Sequence, residues 1–239
     1  MTTEPDVPKM PSARRALIAA LVVSVLVTAV SRLAPKDLAS TGVGLTFLGA
    51  TWFLTLRDED GEARTWGLSL GGLLERDPIR WPRLLREGGQ SLLWAVGLAL
   101  VFFPPFYFGA KATWHTAHAF HFTWPKSVLN EVAGQLFVIA LPEEAFFRGY
   151  VQTALESAWP WKVRILGAEL GAGYLVSCAL FAMGHLLTVP NPARLAVFFP
   201  ALVFGYLRAR TKGIGAGVLF HAMCNIYSAT LGRGFGMAT

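Results

Sequence analysis

The sequence predicts an all-α fold: a polytopic bundle of about seven or eight transmembrane helices with one interfacial amphipathic helix. Hydrophobic residues make up 54% of the 239 residues, and the mean hydropathy is +0.46. Charged residues make up only 15%, against about 25% in soluble domains. Apolar runs close to the roughly 20 residues that cross a bilayer recur along the chain. We therefore expect a cytoplasmic tail at 1–13 and a single membrane domain over 14–239.

Seven apolar segments predict the membrane-spanning helices. The first follows Arg14 and Arg15, and Pro104 and Pro105 are expected to kink or end the third. Asn191 is expected to cap the sixth helix, with Pro192 at its first position. The predicted spans are 16–30, 41–56, 90–110, 130 to about 157, 169–189, 192–209 and 213–232.

The polar segment 57–89 contains six Arg and predicts the interfacial helix. Asp77 is the expected N-cap, Pro78 the first helical residue and Gly88 the stop. Between them, apolar residues alternate with Arg. This pattern is typical of a short helix lying on the bilayer surface.

The distribution of basic residues predicts the orientation. One side of the predicted bundle carries Lys9, Arg14, Arg15, the six Arg of 57–89, Lys162, Arg164, Arg208, Arg210 and Lys212. The other side carries Arg32, Lys36, Lys111, Lys126, Arg194 and Arg233. The positive-inside rule then places the N-terminus in the cytoplasm. We expect a multi-pass protein of a bacterial inner membrane.

The net charge of +6 does not indicate a nucleic-acid partner. The basic residues lie mostly beside apolar runs, where orientation and anionic lipid headgroups explain them. Cys178 and Cys224 both fall inside apolar segments, so we expect small buried side chains and no disulfide. The expected partners are the lipid bilayer and a membrane-anchored protein or peptide, and the sequence does not indicate an oligomeric state.

The stretch "LPEEAFFRGY", residues 141–150, places three charges inside a predicted membrane helix. Each costs roughly 2.5–3.5 kcal/mol at the centre of such a helix. Glu144 and Arg148 are four residues apart and share a helical face, whereas Glu143 points about 100° away. Glu143 is thus a candidate general base. The alternative is a Glu–Arg pair that pins helices together, with Glu143 reaching an interface.

Two further motifs lie on later spans. "FAMGH" places Phe181 and His185 four residues apart, and "HAMCN" does the same for His221 and Asn225. If the fourth and fifth spans turn near residue 164, Glu143 and His185 lie at similar depth. His221 is not brought to that depth by the same argument, because its own turn near residue 211 is only ten residues away.

These three motifs, Glu143-Glu144-x-x-x-Arg148, Phe181-x-x-x-His185 and His221-x-x-x-Asn225, resemble those of the CPBP family. This family comprises the CAAX proteases and bacteriocin-processing enzymes, also called Abi proteins. The resemblance covers about residues 130–230. It implies a helical membrane bundle with intramembrane endopeptidase activity, and bacterial relatives include the myxosortases, which process C-terminal sorting signals.

The resemblance also implies a role for each motif residue. Glu143 would activate water, and Glu144 with Arg148 would support it. His185 would contact the water, and His221 with Asn225 would stabilise the oxyanion. The implied reaction is hydrolysis of a peptide bond in a membrane-associated or C-terminally tagged protein.

Two alternatives stay open on the sequence alone. No cofactor is required by the glutamate mechanism, but Glu143, His185 and His221 could instead bind zinc as a two-His, one-carboxylate set. The same polar residues could also serve a non-proteolytic membrane immunity or binding protein, or a proton-coupled transporter.

Overall fold

The computed structural model describes residues 10–57, 62–114 and 119–237, and within these ranges the chain forms seven helices. Residues 1–9 of the predicted tail lie outside the described residues. The helices are α1 (Ala13–Leu33), α2 (Lys36–Thr51, continued by a π-helical turn at Trp52–Leu56), α3 (Trp81–Thr113), α4 (128–158), α5 (Ala172–Thr188), α6 (Phe198–Thr211) and α7 (Gly215–Gly234).

Four shorter elements complete the described fold. Two are 3₁₀ turns and two are antiparallel strands that pair Val163 with Leu170. They are the turns Leu70–Gly72 and Pro192–Val197, and the strands β1 (Lys162–Ile165) and β2 (Ala168–Gly171).

The predicted all-α helical membrane bundle is confirmed. Three helices are long and apolar enough to cross a membrane: Ala13–Leu33, Lys36–Leu56 and Trp81–Thr113. The helix α5 is apolar but shorter, with 17 residues. That all seven helices span the bilayer stays a prediction.

The predicted start of the helix after α5 is confirmed. The side chain of Asn191 accepts a hydrogen bond from the backbone N–H of Ala193 at 3.0 Å, and Pro192 follows it. The first turns are 3₁₀ rather than α-helical, and the regular helix begins at Phe198.

The predicted interfacial helix is wrong as a separate element. The helix begins at Trp81 rather than at Pro78, and Gly88 lies inside the 33-residue α3. Pro104 and Pro105 also lie inside α3 and do not end it. A glycine in a helix interior costs only about 1 kcal/mol, so one long apolar run can extend the helix backwards through Gly88.

The connection between α4 and α5 also differs from the prediction. Instead of a plain turn, residues 162–171 form the β1–β2 hairpin, with Gly167 at φ +81° in its turn. The fifth helix therefore starts at Ala172 rather than at 169. Alternating residues in "KVRI" favour a strand over a helix there.

Consecutive helices run antiparallel, so the bundle has two ends. At one end, which we call the basic end, the backbone N–H of Ile214 donates to the carbonyl of Gly67, and Arg208 donates to Thr153. At the other, the far end, Arg32 of α1 donates to the carbonyl of Leu187 in α5 at 2.8 Å.

The segment 62–75 covers the end of α4 at the basic end. Trp66 packs against Tyr150 with ring centroids 5.6 Å apart. Leu68 is almost fully buried, and it lies so close to Gly149 that a Cβ there would overlap its side chain. This segment therefore closes the basic end over α4.

Ion pairs hold that segment to the start of α3. Arg83 and Arg64 each contact the carboxylate of Glu75 at 2.7 Å. Hydrogen bonds from Arg83, then from Arg64, hold the pKa of the Glu75 carboxyl well below its usual range. The cover is thus fixed by charge-assisted hydrogen bonds as well as by apolar packing.

Candidate active site

The first motif lies on an unusual part of α4. Glu143 and Glu144 occupy one α-helical turn, Leu141–Glu144, between two π-helical stretches, Gly134–Ala140 and Ala145–Gln152. π-Helical turns are rare and occur frequently at functional sites. The two carboxylates project in different directions, as the helix geometry predicted.

Glu144 and Arg148 form a buried ion pair. Arg148 Nε lies 3.3 Å from Glu144 Oε2, and neither side chain is exposed. Arg148 also donates through Nη2 to the carbonyl of Ala201 in α6, and its guanidinium lies 4.4 Å from the ring centroid of Phe181. The arginine is thereby held between α4, α5 and α6.

The second oxygen of Glu144 binds His221 of α7. His221 Nδ1 lies 3.0 Å from Glu144 Oε1. Because an ionised carboxylate only accepts hydrogen bonds, this contact assigns the Nδ1 proton to His221. The imidazole also stacks on Phe204, with centroids 4.6 Å apart and an interplanar angle of 12°. His221 is fixed in both position and orientation.

Glu143 faces both histidines without bonding to either. Its Oε2 lies 3.8 Å from His221 Nε2 and 4.0 Å from His185 Nε2, beyond hydrogen-bond distance. Within the part of the chain that the structure describes, this oxygen has no hydrogen-bond partner. His185 Nδ1 lies 3.0 Å from the carbonyl of Phe181 and donates to it. Its Nε2 lone pair is then directed towards Glu143.

A cavity of about 770 Å³ connects these groups. Glu143, His185, His221 and Asn225 all line it, whereas Glu144 and Arg148 lie behind its wall. Asn225 is partly exposed and lies one helical turn beyond His221. The structure thus brings all six predicted residues to one site and divides them into four that reach the cavity and two that support it.

Other residues that line the cavity were not predicted, among them Phe204 and Arg194. Phe204 stacks on His221 and lies 5.4 Å from the guanidinium of Arg148, and Arg194 lines the cavity from the turn before α6. Phe204 belongs to an ordinary apolar run, so its sequence context carries no signal. Arg194 follows the predicted cap at Asn191, and its charge is the only feature of the sequence that could have marked it as a site residue.

The atoms of the zinc alternative lie further apart here than zinc ligands do. Ligand atoms around one tetrahedral zinc lie about 2.0–2.2 Å from the ion and so roughly 3.4 Å from each other. The distances from Glu143 to the two histidines, 3.8 and 4.0 Å, are longer. Over residues 10–57, 62–114 and 119–237, no group of three or more His, Cys, Asp or Glu is arranged to hold a metal ion.

Comparison with known proteins points to one family. No curated protein and no solved structure matches the chain. Residues 124–227, which contain all three motifs, match the model of the family described as type II CAAX prenyl endopeptidase Rce1-like, so the predicted resemblance to the CAAX proteases is confirmed over this segment.

Proposed function

We propose that this chain is an intramembrane endopeptidase that cleaves a membrane-associated or C-terminally tagged protein, with Glu143 as the base. The family match supports a CAAX-type endopeptidase in general. One observation carries the residue assignment: Glu143 Oε2 faces His185 Nε2 and His221 Nε2 across a gap of about 4 Å on the wall of a cavity. A gap of this size suits a water molecule or a reacting group.

The attacking water molecule is bound between Glu143 and His185. Because His185 donates its Nδ1–H to Phe181, its Nε2 accepts a hydrogen bond from one O–H of the water. Glu143 accepts a hydrogen bond from the other O–H. Glu143 then removes its proton as the water oxygen attacks the carbonyl carbon of the scissile bond. General-base catalysis of this kind typically contributes about 10²–10⁴-fold.

His221 and Asn225 stabilise the oxyanion formed by this attack. Both lie on one face of α7, four residues apart, and both line the cavity. The Asn225 amide donates directly. His221 Nδ1–H is already used by Glu144, so donation from Nε2 requires a proton on both ring nitrogens.

Collapse of the tetrahedral intermediate completes the reaction. The C–N bond breaks, and the proton held by Glu143 passes to the leaving amine, which regenerates the carboxylate. Water and one amide are consumed, and one carboxylic acid and one amine are formed. Glu144 and Arg148 take no part in bond making. They hold His221 in place and keep a balancing charge behind the cavity wall.

The location belongs to the same proposal. We place the protein in a bacterial inner membrane with its N-terminus in the cytoplasm, because Arg14 and Arg15 lie in the first turn of α1 and the basic end carries most of the Lys and Arg. The apolar faces of Ala13–Leu33, Lys36–Leu56 and Trp81–Thr113 support insertion. The bilayer and a protein substrate are the proposed partners.

The test is complementation of a strain that lacks the protein. Loss should cause an uncleaved membrane protein to accumulate, and the wild-type chain should restore cleavage. Glu143→Gln keeps the shape but removes the base, so it should not restore cleavage. Glu169→Gln, on the exposed face of β2, is the matched control and should. Cleavage restored by Glu143→Gln would show that Glu143 is not the base.

A further inference from the structure

The catalytic cavity reaches the far end of the bundle. From Glu143 it extends past Ser228 of α7 to Ser31 and Ser40, beside the connection between α1 and α2, and to Arg194 in the turn before α6. Ser40 and Arg194 are exposed. The cavity therefore opens at the far end.

The side of the site that faces the basic end is closed. In α4, the residues that follow Glu144 are buried: Phe146, Phe147, Tyr150, Val151 and Leu155 are each at most 2% exposed. The segment 62–75 covers them, with Leu68 pressed against Gly149. A polypeptide cannot pass through this layer to Glu143 without unfolding it.

A second cavity, of about 1240 Å³, opens at the basic end and extends along α3 to Leu136 and Leu141 of α4 and Val218 of α7, but it does not reach the motif residues. It is bounded by the start of α3, the segment 64–73 and the turn between α6 and α7. None of Glu143, Glu144, Arg148, His185, His221 and Asn225 lines it.

The two ends differ strongly in charge. In the segments that the structure describes, thirteen Lys and Arg side chains lie at the basic end and six at the far end. The six are Arg32, Lys36, Lys111, Lys126, Arg194 and Arg233. Short connections enriched in Lys and Arg remain in the cytoplasm, so the basic end is the cytoplasmic one.

We infer that the cavity opens away from the cytoplasm and that the substrate is a membrane-anchored protein whose scissile segment lies at the extracytoplasmic face. This inference rests on the proposed function for its substrate, but its geometry is independent of catalysis. It separates this chain from an enzyme that trims prenylated proteins, because those substrates would have to enter from the closed, basic end.

Cysteine labelling tests the direction of access. Ser40→Cys at the mouth and Ser228→Cys deeper in the cavity are compared with Glu169→Cys on the basic-end hairpin, each after Cys178 and Cys224 are replaced by serine. The probe is a membrane-impermeant maleimide added to intact spheroplasts, with lysed membranes as the reference. We expect both cavity cysteines to react before lysis, and Glu169→Cys to react only after it.

The reverse pattern, with Glu169→Cys labelled in intact spheroplasts and Ser40→Cys protected until lysis, would overturn the inference. Protection of both Ser40→Cys and Ser228→Cys in intact spheroplasts, with full reaction after lysis, would do so as well. Adding Glu143→Gln should leave every labelling pattern unchanged. Failure of the proposed catalysis therefore appears in the complementation strain, whereas a wrong direction of the cavity appears in the labelling.

The substrate class is tested by mapping the cleavage site. The proteins that accumulate uncleaved with Glu143→Gln should carry the missing cleavage site on the same side as Ser40→Cys. A cleavage site mapped to the side of Glu169→Cys would contradict the substrate class, even with the cavity opening as described.

Discussion

Glu143 and Glu144 are adjacent, yet they have opposite environments. Glu144 is fully buried and contacts Arg148 and His221 through its two oxygens. Glu143 is 13% exposed, lines the cavity, and has an oxygen without a hydrogen-bond partner among the described residues. One carboxylate is thus committed to structure and the other is available to a substrate. The rotation of about 100° between neighbouring helical positions is sufficient to separate them.

Substitution of Glu144 should affect stability as well as activity. Glu144→Gln leaves Arg148 buried without its counter-charge, and loss of one partner of a buried ion pair costs about 3–5 kcal/mol. We expect a lower unfolding temperature in detergent together with lost cleavage. Glu143→Gln is the comparison and should lose cleavage while it unfolds close to wild type. Equal unfolding temperatures for the two variants would contradict the division of roles.

The sequence was sufficient to predict the pairing of Glu144 with Arg148, but not the depth of His221. His221 lies six residues into α7, or about 9 Å from its start, whereas α4 continues fourteen residues beyond Glu144, or about 21 Å. Glu144 and His221 lie at the same depth only because α4 and the hairpin project further at the basic end. This projection depends on packing, and no local pattern encodes it.

The contribution of Asn225 distinguishes the two mechanisms that the sequence left open. An oxyanion donor acts mainly in the transition state, so Asn225→Ala should lower kcat by roughly 10²–10³-fold with little change in KM. Chelators should leave the wild-type rate unchanged. Ser228→Ala, which alters another residue on the same cavity wall, is the control and should retain activity.

Zinc would give a different result. Activity should then disappear on thorough chelation and return with added zinc, and purified protein should carry one zinc per chain. That outcome would mean that Glu143 moves closer to the two histidines when zinc binds. Its present distances to them are 3.8 and 4.0 Å.

At the scale of helices, the site depends on the close approach of α4 and α5. Ser177 donates a hydrogen bond to the carbonyl of Phe147 at 2.8 Å. At Gly173, a Cβ would lie only 2.6–2.7 Å from backbone atoms of Glu156 and Leu155. Backbone atoms cannot rotate aside as a side chain can, so only glycine permits this distance.

A single methyl group at Gly173 should therefore disturb the bundle. Gly173→Ala is expected to destabilise it by about 1–3 kcal/mol, as overpacking does elsewhere, and to reduce cleavage because His185 lies on the same helix. Gly97→Ala in α3 is the control, since a Cβ there meets nothing within 4 Å. It should be neutral or slightly stabilising. Thermal unfolding in detergent compares the two, and equal stability would contradict the packing argument.

Helices could be predicted wherever a long apolar run in the sequence is enough to determine them. All seven expected segments are helical, and α4 differs by two residues or fewer from its predicted limits. Its π-helical turns and the β1–β2 hairpin were not predicted. The former depend on tertiary contacts along α4. The interfacial helix was misread because Gly88 was taken as its stop, and Pro104 was expected to kink or end the third span. A long apolar helix in a bilayer tolerates both residues.

At the scale of the molecule, α3 exposes apolar side chains, whereas the ion pair of Glu144 and Arg148 lies inside. Leu93, Leu100 and Phe108 of α3 are 74%, 74% and 68% exposed, whereas Glu144 and Arg148 are fully buried. Contiguous exposed apolar surface of this kind is unfavourable in water and suits the bilayer interior. Because α3 is about 50 Å long, against a hydrocarbon core of about 30 Å, its basic start extends beyond the core.

The odd number of helices predicts that the two termini lie on opposite sides of the membrane. If all seven cross the bilayer, the start of α1 at the basic end and the end of α7 at the far end lie on opposite sides. Alkaline phosphatase appended after residue 239 should be active in a bacterial host, because it matures only outside the cytoplasm, and green fluorescent protein at the same position should be dark. The same fluorescent protein placed before residue 1 should be bright. A bright C-terminal fusion with an inactive phosphatase would mean that one helix does not cross, and an inverted result at both termini would mean that the thirteen basic-end cations do not set the orientation.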